Sequence, residues 1–161
     1  MTSPEPAPFV DLETIRLTHE GVWQSNGQEI THREQCRAFA RHLGRDDVGW
    51  FIAIGKDFKR IEVEDTAFFV EGLTGSAERG YEVLLSDDSR ENLDPATLIY
   101  QPGRLTCRIR GKSTEAKFLT STYLEILARL EEDAISYFLI LGGQRVTLAN
   151  KDELRSSTRP G

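Results

Sequence analysis

The densest cluster of groups able to do chemistry is Glu62, Glu64 and Asp65, at the end of the run RIEVED (Arg60–Asp65). Acids this close together can hold a metal ion or divide acid–base work between them. Strand alternation places Asp65 in phase with Ile61 and Val63 and so turns it inward, with Glu62 and Glu64 facing the other way. An inward carboxylate must be paired or hydrogen-bonded, because burying it bare costs on the order of several kcal/mol. Arg104, Arg108, Arg110, Lys112 and Lys117 form a local basic excess able to receive a carboxylate, a phosphate or an acidic peptide. Arg108 or Arg110 is the expected partner of Asp65. The plainer reading is an exposed acidic strand face set against those arginines, since cross-strand opposite charges stabilise sheets modestly. Trp23, Trp50, Tyr81, Tyr100 and Tyr123 are aromatics able to line a groove or fill a core. The ligand-binding candidates are therefore Asp65, Glu64, Arg108, Arg110 and Tyr123.

Other chemistries find little support. His19, His32 and His42 are scattered, and with two isolated cysteines they give no metal-ligand spacing. Cys36 and Cys107 fall on apolar faces, where thiols are usually inert. GxSxG is absent. Gly72–Ser76 lacks the lysine and the following helix of a phosphate loop. No catalytic residue, metal site or cofactor is expected, and a non-enzymatic reading is favoured over an enzyme.

These side chains need a scaffold. The 161 residues suffice for one ordinary domain or two small halves, with 39% hydrophobic and 29% charged residues, as in a water-soluble protein. The net charge of −6 argues against a general nucleic-acid binder. No stretch reaches the ~18 apolar residues that a membrane span requires. MTSPEPAPFV has neither the basic start nor the apolar core of a secretory signal, so the cysteines are expected to be reduced thiols and the protein cytoplasmic. Oligomeric state is not legible.

Ile15–Thr18 and Val22–Gln24 read as strands, and Asn26-Gly27 as a hairpin turn that needs positive φ, after which Gln28–Ile30 pairs back. Thr31 and Glu34 have capping-box spacing at the start of a helix whose stripe is Cys36, Phe39, Ala40 and Leu43, with Gly44 as its stop. Trp50–Ile54 is apolar at every position, which predicts a strand covered on both faces. Phe58–Asp65 alternates around a core of Phe58, Ile61 and Val63. Phe68–Val70 continues as strand, Glu71–Gly80 reads as a glycine-rich loop, and Tyr81–Leu85 as a strand. Asp94-Pro95 predicts a capped helical turn. Arg104–Ile109 alternates, a second helix covers about Ser121–Glu132 with Thr122 and Glu125 at capping-box spacing, and Ser136–Leu141 with Val146 and Leu148 form a closing hairpin.

The order of elements repeats. FARHLGRDDVGWFIAIG aligns on LARLEEDAISYFLILG with one deletion. The expected fold is α+β: two similar β-β-α-β-β motifs packed together, mostly antiparallel, with one main helix per half. The expected organisation is a flexible arm (1–14), a first half (15–85), a connector (86–103), a second half (104–149) and a disordered tail (150–161).

The runs GVWQSNGQEITHREQ, FARHL, GWFIAI and FKRIEVEDTAFFV, followed by LTCRIRGKSTEAKFLTSTYLEIL, resemble the bacterial family called domain of unknown function 1285, with a layout also similar to domain of unknown function 4505. The resemblance spans Ile15–Leu148. It is most specific in RIxVED and in the RIRG of Arg108–Gly111 with Ala116 and Tyr123 beyond it. It implies a two-part α+β fold with repeated motifs and a role in signalling or in binding a partner, without an established activity. The family often has proline where this chain has Ala67. The expected function is a non-enzymatic interaction or regulatory, signalling-associated module with a protein or small-molecule partner. The alternative is a small-ligand-binding domain or enzyme using a polar cleft between the two repeat halves.

Overall fold

In the first part of the chain, Asn26 and Gly27 adopt φ of 51° and 81°, the left-handed pair that a tight hairpin demands, and the backbone folds straight back. The structure is a computed structural model that describes residues 13–111 and 113–153. Most of the expected arm (1–12), residues 154–161 of the expected tail, and Lys112 lie outside the described residues. The chain divides after Ala67 into two compact units, Met1–Ala67 and Phe68–Gly161.

The first unit runs β1 (Ile15–Leu17), β2 (Trp23–Ser25), β3 (Gln28–Glu29), α1 (Arg33–Arg41), β4 (Leu43–Arg45), β5 (Trp50–Ile54) and β6 (Asp57–Val63). They form one sheet in the order β3-β2-β1-β6-β5-β4. Every pair is antiparallel except β1–β6. Phe39 and Ala40 of α1 are buried with Ile15, Leu17, Trp23 and Ile52, and Trp23 meets Phe39 edge to face at 5.5 Å.

The second unit runs β7 (Phe68–Ser76), β8 (Gly80–Leu85), β9 (Arg90–Asn92), a 3₁₀ turn (Pro95–Thr97), β10 (Ile99–Gln101), β11 (Arg104–Ile109), β12 (Thr114–Phe118), α2 (Thr120–Leu127), β13 (Glu131–Glu132), β14 (Ser136–Leu141) and β15 (Gln144–Asn150). One sheet has the order β10-β11-β12-β7-β8-β9, with β12–β7 parallel. β13-β14-β15 is a separate antiparallel meander. Asp94 caps the 3₁₀ turn by accepting the Ala96 N–H at 3.1 Å, as its position before Pro95 predicts. The Thr122 hydroxyl donates to the Val70 carbonyl at 2.8 Å and ties α2 to β7.

The fold is α+β with two similar motifs. Three strands, a helix and a three-strand meander occur as β1-β2-β3-α1-β4-β5-β6 and again as β10-β11-β12-α2-β13-β14-β15. Against the expected β-β-α-β-β, each motif thus has one strand more on either side of its helix, the one before α1 being the strand that pairs back from the Asn26-Gly27 turn.

Several local expectations are corrected. α1 is capped one residue later than Thr31: the Gln35 N–H donates to His32 Nδ1 at 3.2 Å. The Ile30 N–H is still donated to the Trp23 carbonyl, which keeps the chain extended up to that point. Gly44 does not stop the helix but lies in β4, where a Cβ would fall 2.5 Å from Cζ of Phe51, so the residue is bare because a ring covers it. Glu71–Gly80 is not a loop. β7 runs through to Ser76, with a bulge between Val70 and Gly72 that absorbs the glycines. α2 ends at Leu127 rather than Glu132, has Leu119 at its N-cap, and uses Thr122 for β7 rather than for a capping box. Trp50–Ile54 is not covered on both faces, since only Ile52 of the five is fully buried. Phe58, expected in the core, is 52% exposed and stacks on Phe51 beneath the Arg60 guanidinium. Asn150 completes β15, and Lys151–Glu153 make a helical turn.

Candidate functional site

Repeated motifs invite comparison at the seam where the strands before the helix meet the meander after it. In the first unit this seam is shut. β1 and β6 pair in parallel, with Ile15 beside Ile61, Arg16 beside Glu62 and Leu17 beside Val63. The Glu64 N–H extends the ladder by donating to the Leu17 carbonyl at 2.9 Å. The Glu64 carboxylate then clasps the end: one oxygen accepts from Arg16 at 3.1 Å and the other lies 2.5 Å from His19 Nδ1. The hydrogen bond to His19, above all, holds Glu64 below the ordinary carboxylate value.

The corresponding strands of the second unit, β10 and β15, approach within 8 Å, Cα to Cα, but form no ladder among the described residues. A groove of about 250 Å³ lies there, walled by Tyr100, Leu127, Leu130, Tyr137 and Leu148. Where the shut seam sets Ile15 beside Ile61, the strand walls of the open one are Tyr100 and Leu148. The Tyr123 hydroxyl accepts the Gly103 N–H at 3.2 Å and is hydrogen-bonded to Tyr100. Burial first, and that hydrogen bond second, push the Tyr100 phenol above its ordinary value, so it stays neutral and able to donate near neutral pH. Lys151 marks one edge, 2.7 Å from Glu132 and with its ammonium over the Tyr137 ring at 5.3 Å. Leu130 is 37% exposed and Leu124, earlier on α2, is 58% exposed. The lining offers apolar wall and neutral hydroxyls.

The five residues singled out in the sequence are divided between the units, Glu64 and Asp65 in the first and Arg108, Arg110 and Tyr123 in the second. Tyr123 stands beside the groove through Tyr100. Glu64 serves the clasp in the first unit. Asp65 is exposed, not inward: β6 ends at Val63, so the alternation that predicts its direction has already stopped. Arg110 turns out of β11 with φ of 53°, pairs with Asp87 and lies over the Phe68 ring at 4.2 Å. Arg108 is exposed, and its N–H is donated to the Thr97 hydroxyl at 3.1 Å. Gly103 and Arg110 flank opposite ends of β11, so Tyr123 and Arg110 are held apart. Cys107 is buried and its thiol is pushed up to about 12, chiefly by burial, while Cys36 is half-buried with its thiol also raised. Among the described residues no cluster of histidine, cysteine and acid side chains is arranged to hold a metal ion. Sequence reasoning missed Leu130, Tyr137 and Leu148 as site residues, because each falls on an apolar stripe that reads as core.

No protein-family model matches the chain, and neither does any curated protein. Solved structures do. A DUF1285 family protein from Silicibacter pomeroyi DSS-3 is 16% identical, with a TM-score of 0.66 over 88% of this chain and 82% of that one. A DUF1285 family protein from Shewanella baltica OS155 is 15% identical, with a TM-score of 0.57 over 74% of this chain and 94% of that one. The resemblance carried by RIxVED and RIRG is thus matched in three dimensions, and the chain has the fold of the DUF1285 family proteins.

Proposed function

We propose that the chain is a non-enzymatic interaction module and that the open seam of its second unit receives the partner. The observation that carries this reading is the unpaired facing edges of β10 and β15 above an apolar, tyrosine-walled groove. Unpaired strand edges present backbone donors and acceptors to an extended segment, and pockets beside them select its side chains. The occupant is an extended peptide segment of a protein partner that places one aliphatic or aromatic side chain between Tyr100, Tyr137 and Leu148. Leu130, in the groove wall and 37% exposed, extends the apolar surface outward, as interaction surfaces require.

Tyr123 keeps its place as a binding residue by holding Tyr100. Glu64 and Arg110 act as ion pairs that fix chain ends and turns. The regulatory, signalling-associated role rests on the family resemblance. A cytoplasmic setting rests on the two unbridged cysteines. No helix of the described residues is long and apolar enough to cross a membrane.

The test is selection from a random-peptide display library against the purified protein, followed by affinity measurement on Leu130→Glu and Tyr137→Ala variants. Selected peptides share an apolar anchor, and both variants lose binding by about tenfold or more, the scale of a buried anchor. Absence of any selected peptide, or peptides that bind both variants unchanged, overturns the reading.

A further inference from the structure

A second cavity in the same unit is polar where the groove is apolar. β7 and β8 form a hairpin whose turn is Ala77–Arg79, and β14 and β15 are joined by Gly142-Gly143. The two turns meet closely: the Gly142 N–H is donated to the Ala77 carbonyl at 2.7 Å, and a Cβ on Gly142 would lie 3.7 Å from Cα of Gly80. Beside this contact lies a cleft of about 530 Å³, within the range of small-molecule sites.

Its floor is Tyr81, Leu93 and Leu141, all buried. Its rim carries Thr74, Arg79, Asn92 and Gln144, all exposed. Glu82 is the acid in the lining, and it is spoken for by Arg90 at 3.6 Å. The side chains of Arg79, Thr74, Asn92 and Gln144 have no hydrogen-bond or ion-pair partner among the described residues. In a chain of net charge −6, a guanidinium at the rim of a cleft whose one acid is paired with another arginine is a local reversal of sign. A guanidinium presents a planar fork of N–H donors that matches the two oxygens of a carboxylate or phosphate, and the amides and hydroxyl beside it donate to the same group.

We propose that this cleft binds a small organic anion, with its oxyanion on Arg79 and its apolar body against Tyr81, Leu93 and Leu141. The site is independent of the peptide groove, and either can fail alone. Two-dimensional amide NMR titrations of the whole chain with phenylacetate, phenyl phosphate and neutral 2-phenylethanol test it. Saturable shifts in residues 74–82, 92–95 and 141–144 are expected for both anions, and much weaker ones for the alcohol. Arg79→Gln lowers anion affinity about tenfold or more, the effect of losing a charged fork, and Arg79→Lys keeps part of it. The thermal midpoint stays unchanged in both variants, because no described residue pairs with the Arg79 side chain. Tighter binding of phenyl phosphate than of phenylacetate assigns the site to phosphate esters, and the reverse order to carboxylates. No saturable shift, shifts outside those segments, equal affinity for the alcohol, or anion binding unaffected by Arg79→Gln overturns the proposal.

Discussion

The two seams place the same elements in the same order and reach opposite ends. The β1–β6 seam is a ladder closed by Glu64, Arg16 and His19. The β10–β15 seam is a groove edged by Lys151 and Glu132. In the first, aliphatic Ile15 and Leu17 vanish into the core. In the second, Tyr100 stays half-buried with its hydroxyl satisfied by another tyrosine. A ladder spends its backbone groups on stability, whereas an open edge keeps them for a partner. On the proposed reading, repetition lets one copy serve the fold and the other serve recognition.

The largest test of that contrast is truncation on either side. Ile15→Ala, at a position with no exposure, is expected to cost about 2–5 kcal/mol by urea unfolding, while Leu148→Ala at the groove wall costs under about 1 kcal/mol. Equal costs would erase the distinction between shut and open. Amide exchange sharpens it next. Seam-facing amides of residues 15–17 and 61–63 should exchange far more slowly than those of 99–101 and 146–150, because only the former are paired across their seam. Equal protection would mean that β10 and β15 pair in solution.

A smaller effect follows from the clasp. Glu64 is depressed in the folded state, so its contribution is present above the unfolded carboxylate value of 4.5 and is lost as pH falls through the folded value. The urea midpoint should therefore drop as pH is lowered from 4.5, and Glu64→Gln should flatten that fall. An unchanged slope in the variant would remove the clasp from the account. The smallest expected effect on stability is that of Leu130→Glu, within about 0.5 kcal/mol because the side chain is a partly exposed surface residue. That variant should lose peptide binding all the same, and a large destabilisation would return Leu130 to the core.

Much of the scaffold was legible in periodicity. Asn26-Gly27, the Asp94-Pro95 turn, the Phe39–Ala40 stripe and the two hairpins all follow from local rules. So did the repeat, since FARHL and LARLE each precede an apolar strand. The parallel pairings were not legible, because no short-range signal says that β1 waits for β6 or β7 for β12. Glycines misled in two ways: Gly44 reads as a helix stop yet is a space left for Phe51, and Gly72 and Gly75 read as loop yet sit within β7. The partners of the polar candidates were hidden for a related reason. Charge patterning names residues able to pair, but the fold gave Glu64 to Arg16 and His19 and gave Arg110 to Asp87. The groove was hidden because an apolar side chain beside an unmade ladder looks in sequence like one beside a finished core.

The parallel pairing of β7 with β12 also sets a timetable. Every strand of the first sheet has its partners within residues 15–63, so that sheet can be completed as soon as this stretch has left the ribosome. β7 is made early but gains its neighbour only when β12 arrives, and the Thr122 hydroxyl that fastens it comes 52 residues after Val70. Closing so long a loop delays folding more than it weakens the product. During synthesis, the β7 edge that β12 will cover therefore stays unpaired while the chain from β8 to β12 is made, and it is a place where a nascent chain of this protein is open to chaperones or to mispairing with its neighbours.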